Sequence, residues 1–240
     1  MTGPDAPASG FLVESDAGGA FVMDMGPGAF GQLQKYRDPV TVDLLLSHLH
    51  ADHCLDIPGL LIWRKFHPTS PAAQKNDLWG PADTAARVGR AAAETSDGCE
   101  DISDTFDVHN LAPHKTFEVA GMTVTAYPMV HPIEAYGFRI ELDGAVVAYT
   151  GDTAWTDEIV TMAQDADILI CEATWCDSDE GKPEAMHMTG AEAGKAARLA
   201  GVTTLVLTHI PPYGDKNAAL RSAESEFDGS IILASPGMIF

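Results

Sequence analysis

The sequence predicts an α/β protein that carries a metal site at the ends of its strands. Three observations support that reading. The apolar run Val42-Asp43-Leu44-Leu45-Leu46, patterned as a short buried strand, leads directly into Ser47-His48-Leu49-His50-Ala51-Asp52-His53. Three further ligand candidates, His131, Asp152 and His209, each follow a strand of their own. The strand Thr204–Thr208, which ends in His209 and is followed by a helix over Asn217–Glu226, is a clear βα unit.

The histidine-rich stretch places four potential ligands within six residues, His48 to His53. In extended chain, residues two apart point to the same side, so His48 and His50 can grip one ion together. His53 breaks that alternation, so the chain must turn there, and Asp52 with His53 can face a second ion. Small Ala51 lets the backbone approach closely.

At 240 residues and 45% hydrophobic content the chain is long enough for one large core or two small ones. A single domain over residues 1–240 is the expectation. No run reaches the roughly 18 apolar residues that cross a bilayer. Met1-Thr2-Gly3-Pro4-Asp5 lacks the basic and apolar regions of a signal peptide. Cys54, Cys99, Cys171 and Cys176 have neither CxxC spacing nor disulfide-scaffold density, which predicts reduced thiols in a cytoplasmic protein with no membrane partner. Cys54, beside His53, is expected to be a buried bystander. The formal charge of −21 disfavours RNA or DNA as a partner, since nucleic-acid affinity rests largely on Lys and Arg against phosphates. A small anionic substrate remains compatible, because bound ions would dominate the local field.

Taken in order, Gly10–Glu14 and Ala20–Asp24 read as strands joined by a turn over residues 16–19. Gly26-Pro27-Gly28-Ala29-Phe30-Gly31 matches GxGxxG, but Pro27 stiffens it and no strand-end acid follows at the right place. It reads as a glycine turn from strand into a short helix, Gln32 to Arg37, not a dinucleotide site. A helix is expected over Leu60–Phe66, a strand and turn over Leu78-Trp79-Gly80-Pro81 and a helix over Ala82–Glu94. Glu100 to Asp107 reads as a solvated acidic loop. Thr116–Val119 and Met122–Met129 form a hairpin whose second strand delivers His131. Tyr136–Leu142 and Ala145–Tyr149 form another through Asp143-Gly144, a strong turn dipeptide, and end in Thr150-Gly151-Asp152-Thr153. Asp152 reads equally as a bridging ligand or as the N-cap of a helix around Thr156–Ala163. Ile168–Cys171 is a buried strand ending in Glu172-Ala173-Thr174-Trp175. Thr189 with Glu192 makes a capping box for a helix ending at Ala200 before Gly201. His209 follows the strand Thr204–Thr208, and a helix over Asn217–Glu226 and a strand over Ile231–Ala234 complete the pattern. Trp63, Phe66, Trp155, Trp175 and Tyr213 could stack on a base, but core aromatics are commoner and none is assigned.

With these pieces placed, the chain resembles the metallo-β-lactamase superfamily. The matching pieces are SHLHADH, the histidine of YPMVHP, YTGDT and the histidine of LTHI, in the family's order. The resemblance implies an αββα sandwich with its site at strand ends between the sheets. It also implies His48, His50 and His131 on a first ion, Asp52, His53 and His209 on a second, and Asp152 as the bridge. Such ligands suit two zinc ions, with manganese or iron as alternatives. Measured against the family, the chain begins after the strand and glycine turn that usually open the fold. Either the true start lies upstream or the first sheet lacks a strand.

Two further signatures, CEATW and HMTGAEAG followed by LVLTHIPPY, are similar to the ribonuclease Z group of phosphodiesterases. That resemblance implies a dyad of Glu172 and His187 at the scissile phosphate. Two departures argue against tRNA processing: no long basic arm lies between His131 and Asp152, and HISPRY is replaced by HIPPYGD. SHLHADHCLDIPGL, EFDG and LTHIPPY look like a bacterial branch of cyclic-nucleotide phosphodiesterases. The implied reaction is hydrolysis of 3′,5′-cyclic AMP to 5′-AMP, with Asp52 accepting the proton of the attacking water. His187, oriented by Glu172, would protonate the leaving 3′-oxygen. Alternatives are a ribonuclease Z-like RNA endonuclease, or a metal-dependent thioester or lactam hydrolase. A cyclic-nucleotide substrate and a homodimer are the expected partners.

Overall fold

Parallel strands need a crossover between them, and this chain supplies helices for that purpose again and again. The structure, a computed structural model, describes residues 2–4 and 6–240. Met1 and Asp5, part of the N-terminal stretch read above, lie outside the described residues. The chain divides into two compact units, one of Thr2–Leu111 with Glu118–Gly121, the other of Ala112–Phe117 with Met122–Phe240.

The N-terminal unit holds a five-stranded sheet in the order β1-β2-β3-β4-β5. β1 (Phe11–Glu14) and β2 (Ala20–Met23) pair antiparallel; β3 (Asp43–Leu45), β4 (Asn76–Gly80) and β5 (Phe106–Asn110) add in parallel. The crossovers carry α1 (Ala29–Leu33), then α2 (Ala51–Cys54) with α3 (Ile57–Phe66), then α4 (Thr84–Ala92). Val22, Leu44, Leu46, Leu60, Leu78 and Phe106 belong to one buried core.

In the second sheet, β6 (Thr116–Val119), β7 (Met122–Pro128), β8 (Tyr136–Leu142) and β9 (Ala145–Tyr149) precede β10 (Ile168–Glu172), β11 (Thr204–Thr208) and β12 (Ser230–Leu233). Their order runs β12-β11-β10-β9-β8-β7-β6. β7, β8 and β9 form an antiparallel meander, whereas β9 to β12 are parallel. Asp143 and Gly144 both take positive φ, 50° and 82°, as a tight hairpin turn demands. The parallel crossovers carry α5 (Asp157–Met162), α6 (Gly190–Ala200) and α7 (Lys216–Glu224). β7 and β9 both run opposite to β8, so β7, β9, β10 and β11 all end at the same edge of the sheet. That shared edge is where the residues after four strands gather.

α6 shows how local chemistry and packing agree. Thr189 accepts from the Glu192 N–H while the Glu192 carboxylate accepts from the Thr189 N–H, and Gly201 closes the far end at φ 70°. The buried face is small throughout: Gly190, Ala193, Gly194, Ala196, Ala197 and Ala200. A Cβ at Gly190 would stand 2.1 Å from the Ala219 carbonyl oxygen of α7, and one at Gly194 2.5 Å from that of Ala223.

Several expectations are corrected. β5 begins within the end of the stretch read as acidic loop, at Phe106 and Asp107, because Phe106 and Ile102 turn inward between the acids. α1 starts at Ala29 rather than Gln32, directly off Gly28 at φ 91°, and α3 starts at Ile57 with Pro58 in its first turn. Asp152 does not cap α5; the Thr156 hydroxyl does, accepting from the Glu158 N–H. No helix among the described residues is long and apolar enough to cross a membrane. Gly194→Val should lower stability by about 1–3 kcal/mol through overpacking against α7. Thr189→Ala should cost about 1 kcal/mol through the lost cap. Urea unfolding followed by circular dichroism measures both.

Candidate metal centre

The histidine stretch begins where β3 stops. The chain stays extended to His50 (ψ 153°) and then winds into α2, so the turn expected at His53 is a short helix that carries Asp52 in its first turn. Gly26 makes that placement possible, because a Cβ there would lie 1.8 Å from the Asp52 carbonyl oxygen. The GxGxxG match is therefore a close-packing device beneath the histidine loop. Within the N-terminal unit the rings of His48 and His50 meet edge to face at 4.9 Å, and those of His48 and His53 lie 4.1 Å apart. His48 and His53 are fully buried, while His50 and Asp52 are half-buried.

The C-terminal unit gathers the other predicted residues at one sheet edge. His131 follows β7, Asp152 follows β9, Glu172 ends β10, and His209 follows β11 at φ 57°. His187 arrives from the segment that leads into α6. Ligand atoms of Asp152, His187 and His209 lie within 4.8 Å of one another. Asp152 Oδ2 is 3.4 Å from His209 Nε2 and 4.0 Å from His187 Nδ1. The His187 ring is 5.5 Å from that of His131 and 5.6 Å from that of His209.

Whether these residues suit a metal ion turns on which ring nitrogen each histidine presents, and the hydrogen bonds answer that. A carbonyl or carboxylate oxygen only accepts, so a histidine beside one must hold its proton on the near nitrogen. His131 Nδ1 donates to the Met186 carbonyl at 2.9 Å, and His53 Nδ1 to Asp24 Oδ2 at 2.8 Å. The Thr174 hydroxyl donates to the His209 carbonyl at 3.1 Å and so accepts from His209 Nδ1 at 2.8 Å. In each case Nε2 keeps the lone pair for a ligand role, the arrangement metal-binding histidines need. The donor set of imidazoles and carboxylates fits a divalent ion. His53 Nε2 also lies 3.3 Å from the Ser9 hydroxyl.

Glu172 is built differently. It is fully buried, Oε1 accepts from the Thr153 N–H at 2.7 Å, and Oε2 accepts from the Thr174 and Met188 N–H groups at 3.2 Å. His187 Nδ1 completes the set, donating to Oε1 at 2.9 Å. Such a carboxylate cannot rotate, and neither can the imidazole it holds.

The cysteines take no part in this geometry. Burial pushes the Cys54 thiol up, and the Cys171 thiol well up, so both stay protonated. Cys54 is a bystander whose thiol donates to the His50 carbonyl at 3.3 Å. All four cysteines are free. Sequence reasoning passed over Asp24, Ser47 and Thr174. Asp24 ends a strand as Asp152 does, and Thr174 lies inside CEATW, so both had a signal. The Met186 carbonyl had none, since every residue carries one.

Comparison with known proteins identifies the family and the fold. The family model described as a β-lactamase superfamily domain matches residues 20–210. The uncharacterized protein Rv1339 of Mycobacterium tuberculosis is 43% identical over 96% of this chain and 84% of its own. Two crystal structures show the same fold. The metallo-β-lactamase fold protein YhfI of Bacillus subtilis has a TM-score of 0.86 at 24% identity, covering 100% of this chain and 94% of its own. Human tRNase Z, short form, has a TM-score of 0.77 at 23% identity, covering 99% and 93%. The chain belongs to the β-lactamase superfamily, with its homologues and structural neighbours in the YhfI and ribonuclease Z group of metallo-hydrolases.

Proposed function

We propose that this metallo-hydrolase is a two-metal phosphodiesterase that opens a cyclic nucleotide, hydrolysing 3′,5′-cyclic AMP to 5′-AMP. The observation that carries the reading is the Glu172–His187 pair. A metal-ligand set alone would serve thioester, lactam or phosphodiester cleavage, but a histidine clamped by a buried carboxylate is an acid poised for a leaving oxygen.

His48, His50 and His131 would hold one ion, Asp52, His53 and His209 the other, with Asp152 shared; zinc is the first choice. When bound, such ions polarise phosphoryl oxygens and supply a nucleophilic water near neutral pH. The rest is the work of the chain. Glu172 keeps the proton of His187 on Nδ1 and aims Nε2, from which a second proton passes to the departing 3′-oxygen. Asp52, on the first turn of α2, accepts the proton of the attacking water.

Two further features support a small substrate. The segment between His131 and Asp152 is filled by β8, β9 and their two-residue turn, leaving no arm to hold an RNA. The charge of −21 repels a polyanion, whereas a single phosphodiester is attracted to the ions.

Protein loaded with zinc or manganese should release 5′-AMP from 3′,5′-cyclic AMP, read by chromatography, and lose that turnover on chelation with EDTA. Asp152→Ala should abolish turnover. His187→Ala should lower kcat by about 10²–10⁴-fold while metal content, measured by mass spectrometry, stays at the wild-type value. Loss of the metals in His187→Ala would overturn its role as acid. A wild type inert on cyclic AMP but active on bis-p-nitrophenyl phosphate would sink the substrate and leave the chemistry. Inertness on both would point to a thioester or lactam, and salt-sensitive cleavage of precursor tRNA to a ribonuclease.

A further inference from the structure

Asp24 has no part in the chemistry above, yet its surroundings are unusually demanding. It follows β2 directly, is fully buried, and holds φ at +56°, a region few residues other than glycine adopt. A buried carboxylate is costly unless hydrogen bonds satisfy it. Here Oδ1 accepts from the Ser47 N–H at 2.8 Å, the Ser47 hydroxyl donates to Oδ2 at 2.8 Å, and His53 Nδ1 donates to Oδ2 at 2.8 Å. The same Ser47 hydroxyl lies 3.0 Å from His48 Nδ1.

Counting protons decides the direction of every bond in this chain of four residues. The carboxylate accepts only, so His53 holds its proton on Nδ1. The Ser47 hydroxyl has one proton and gives it to Asp24. It must therefore accept from His48, which also holds its proton on Nδ1. We infer that Asp24 is a positioning residue that sets the tautomer of two ligand histidines at once, His53 directly and His48 through Ser47. On the two-ion reading above, on which this inference rests, these histidines serve different ions. One buried carboxylate thus prepares a ligand for each.

Asp24→Asn tests this, because it keeps the size of the side chain and tolerates positive φ, but replaces one acceptor by an N–H donor. With the amide oxygen toward Ser47, the nitrogen faces His53 Nδ1 and forces its proton to Nε2. With the amide reversed, its N–H groups oppose the donors of Ser47 and the relay to His48 fails. Metal-depleted wild type, Asp24→Asn and Ser47→Ala would be titrated with Zn²⁺ by calorimetry, and the thermal transition of each recorded. Wild type is expected to take up two ions. Asp24→Asn should bind at least one of them about 10–100-fold more weakly, and Ser47→Ala should weaken one while sparing the other. In the metal-depleted proteins, ¹H–¹⁵N spectra of the imidazoles read the tautomer directly, and Asp24→Asn should move a ring proton from Nδ1 to Nε2.

A folded Asp24→Asn with wild-type affinities and unchanged imidazole signals would overturn the inference. Should Asp24→Asn lose its cooperative transition, Ser47→Ala decides, and two unchanged affinities there would overturn it equally. A wild type that takes up fewer than two ions would remove the two-ion reading and this inference with it. Turnover is not read at any point, so an inactive enzyme leaves the result intact.

Discussion

A histidine can offer one nitrogen outward only after the protein has claimed the other. That constraint runs through both units of this chain. The claims are made by three kinds of group: a backbone carbonyl at Met186, a hydroxyl at Thr174, carboxylates at Asp24 and Glu172. The partners are remote in sequence, His131 and Met186 by 55 positions and His53 and Asp24 by 29. Only a packed fold holds such pairs at hydrogen-bond distance. The backbone gives way where needed, with positive φ at both Asp24 and His209.

Strand direction supplies the gathering point. β7, β9, β10 and β11 end at one edge of the C-terminal sheet, so residues at or just beyond four strand ends can each present one polar side chain there. The helices that make these crossovers must lie close. α6 and α7 do so by omission, with glycines and alanines where larger side chains would meet the neighbouring backbone. In the N-terminal unit Gly26 plays the same part beneath Asp52. Tight packing of this kind leaves the polar residues little room to rotate, which is what a pre-arranged site requires.

Two buried carboxylates divide the labour. Glu172 accepts three backbone N–H groups before it meets His187, so its position is set by main chain and the imidazole follows. Asp24 accepts from one backbone N–H, one hydroxyl and one imidazole, so it links side chains to one another. The first arrangement fits the acid role proposed for His187, and the second fits the ligand roles proposed for His48 and His53.

Much of this was legible in the residues themselves. The capping box at Thr189 and Glu192, the Asp143-Gly144 turn and the strand before Ser47 rest on interactions within a few positions, and each forms where its local pattern says. β5 was hidden, because acids surround Phe106 and only packing shows that it turns inward. Asp152 read in the sequence as a ligand or as a cap, and the cap reading falls because the Thr156 hydroxyl holds α5. By itself, then, the sequence determined where local turns, caps and strands form and which strand ends bear histidines and acids, since both follow from residue type and local spacing. Only the tertiary structure decided which nitrogen His53, His131, His187 and His209 present, because that depends on donors and acceptors brought together from distant parts of the chain.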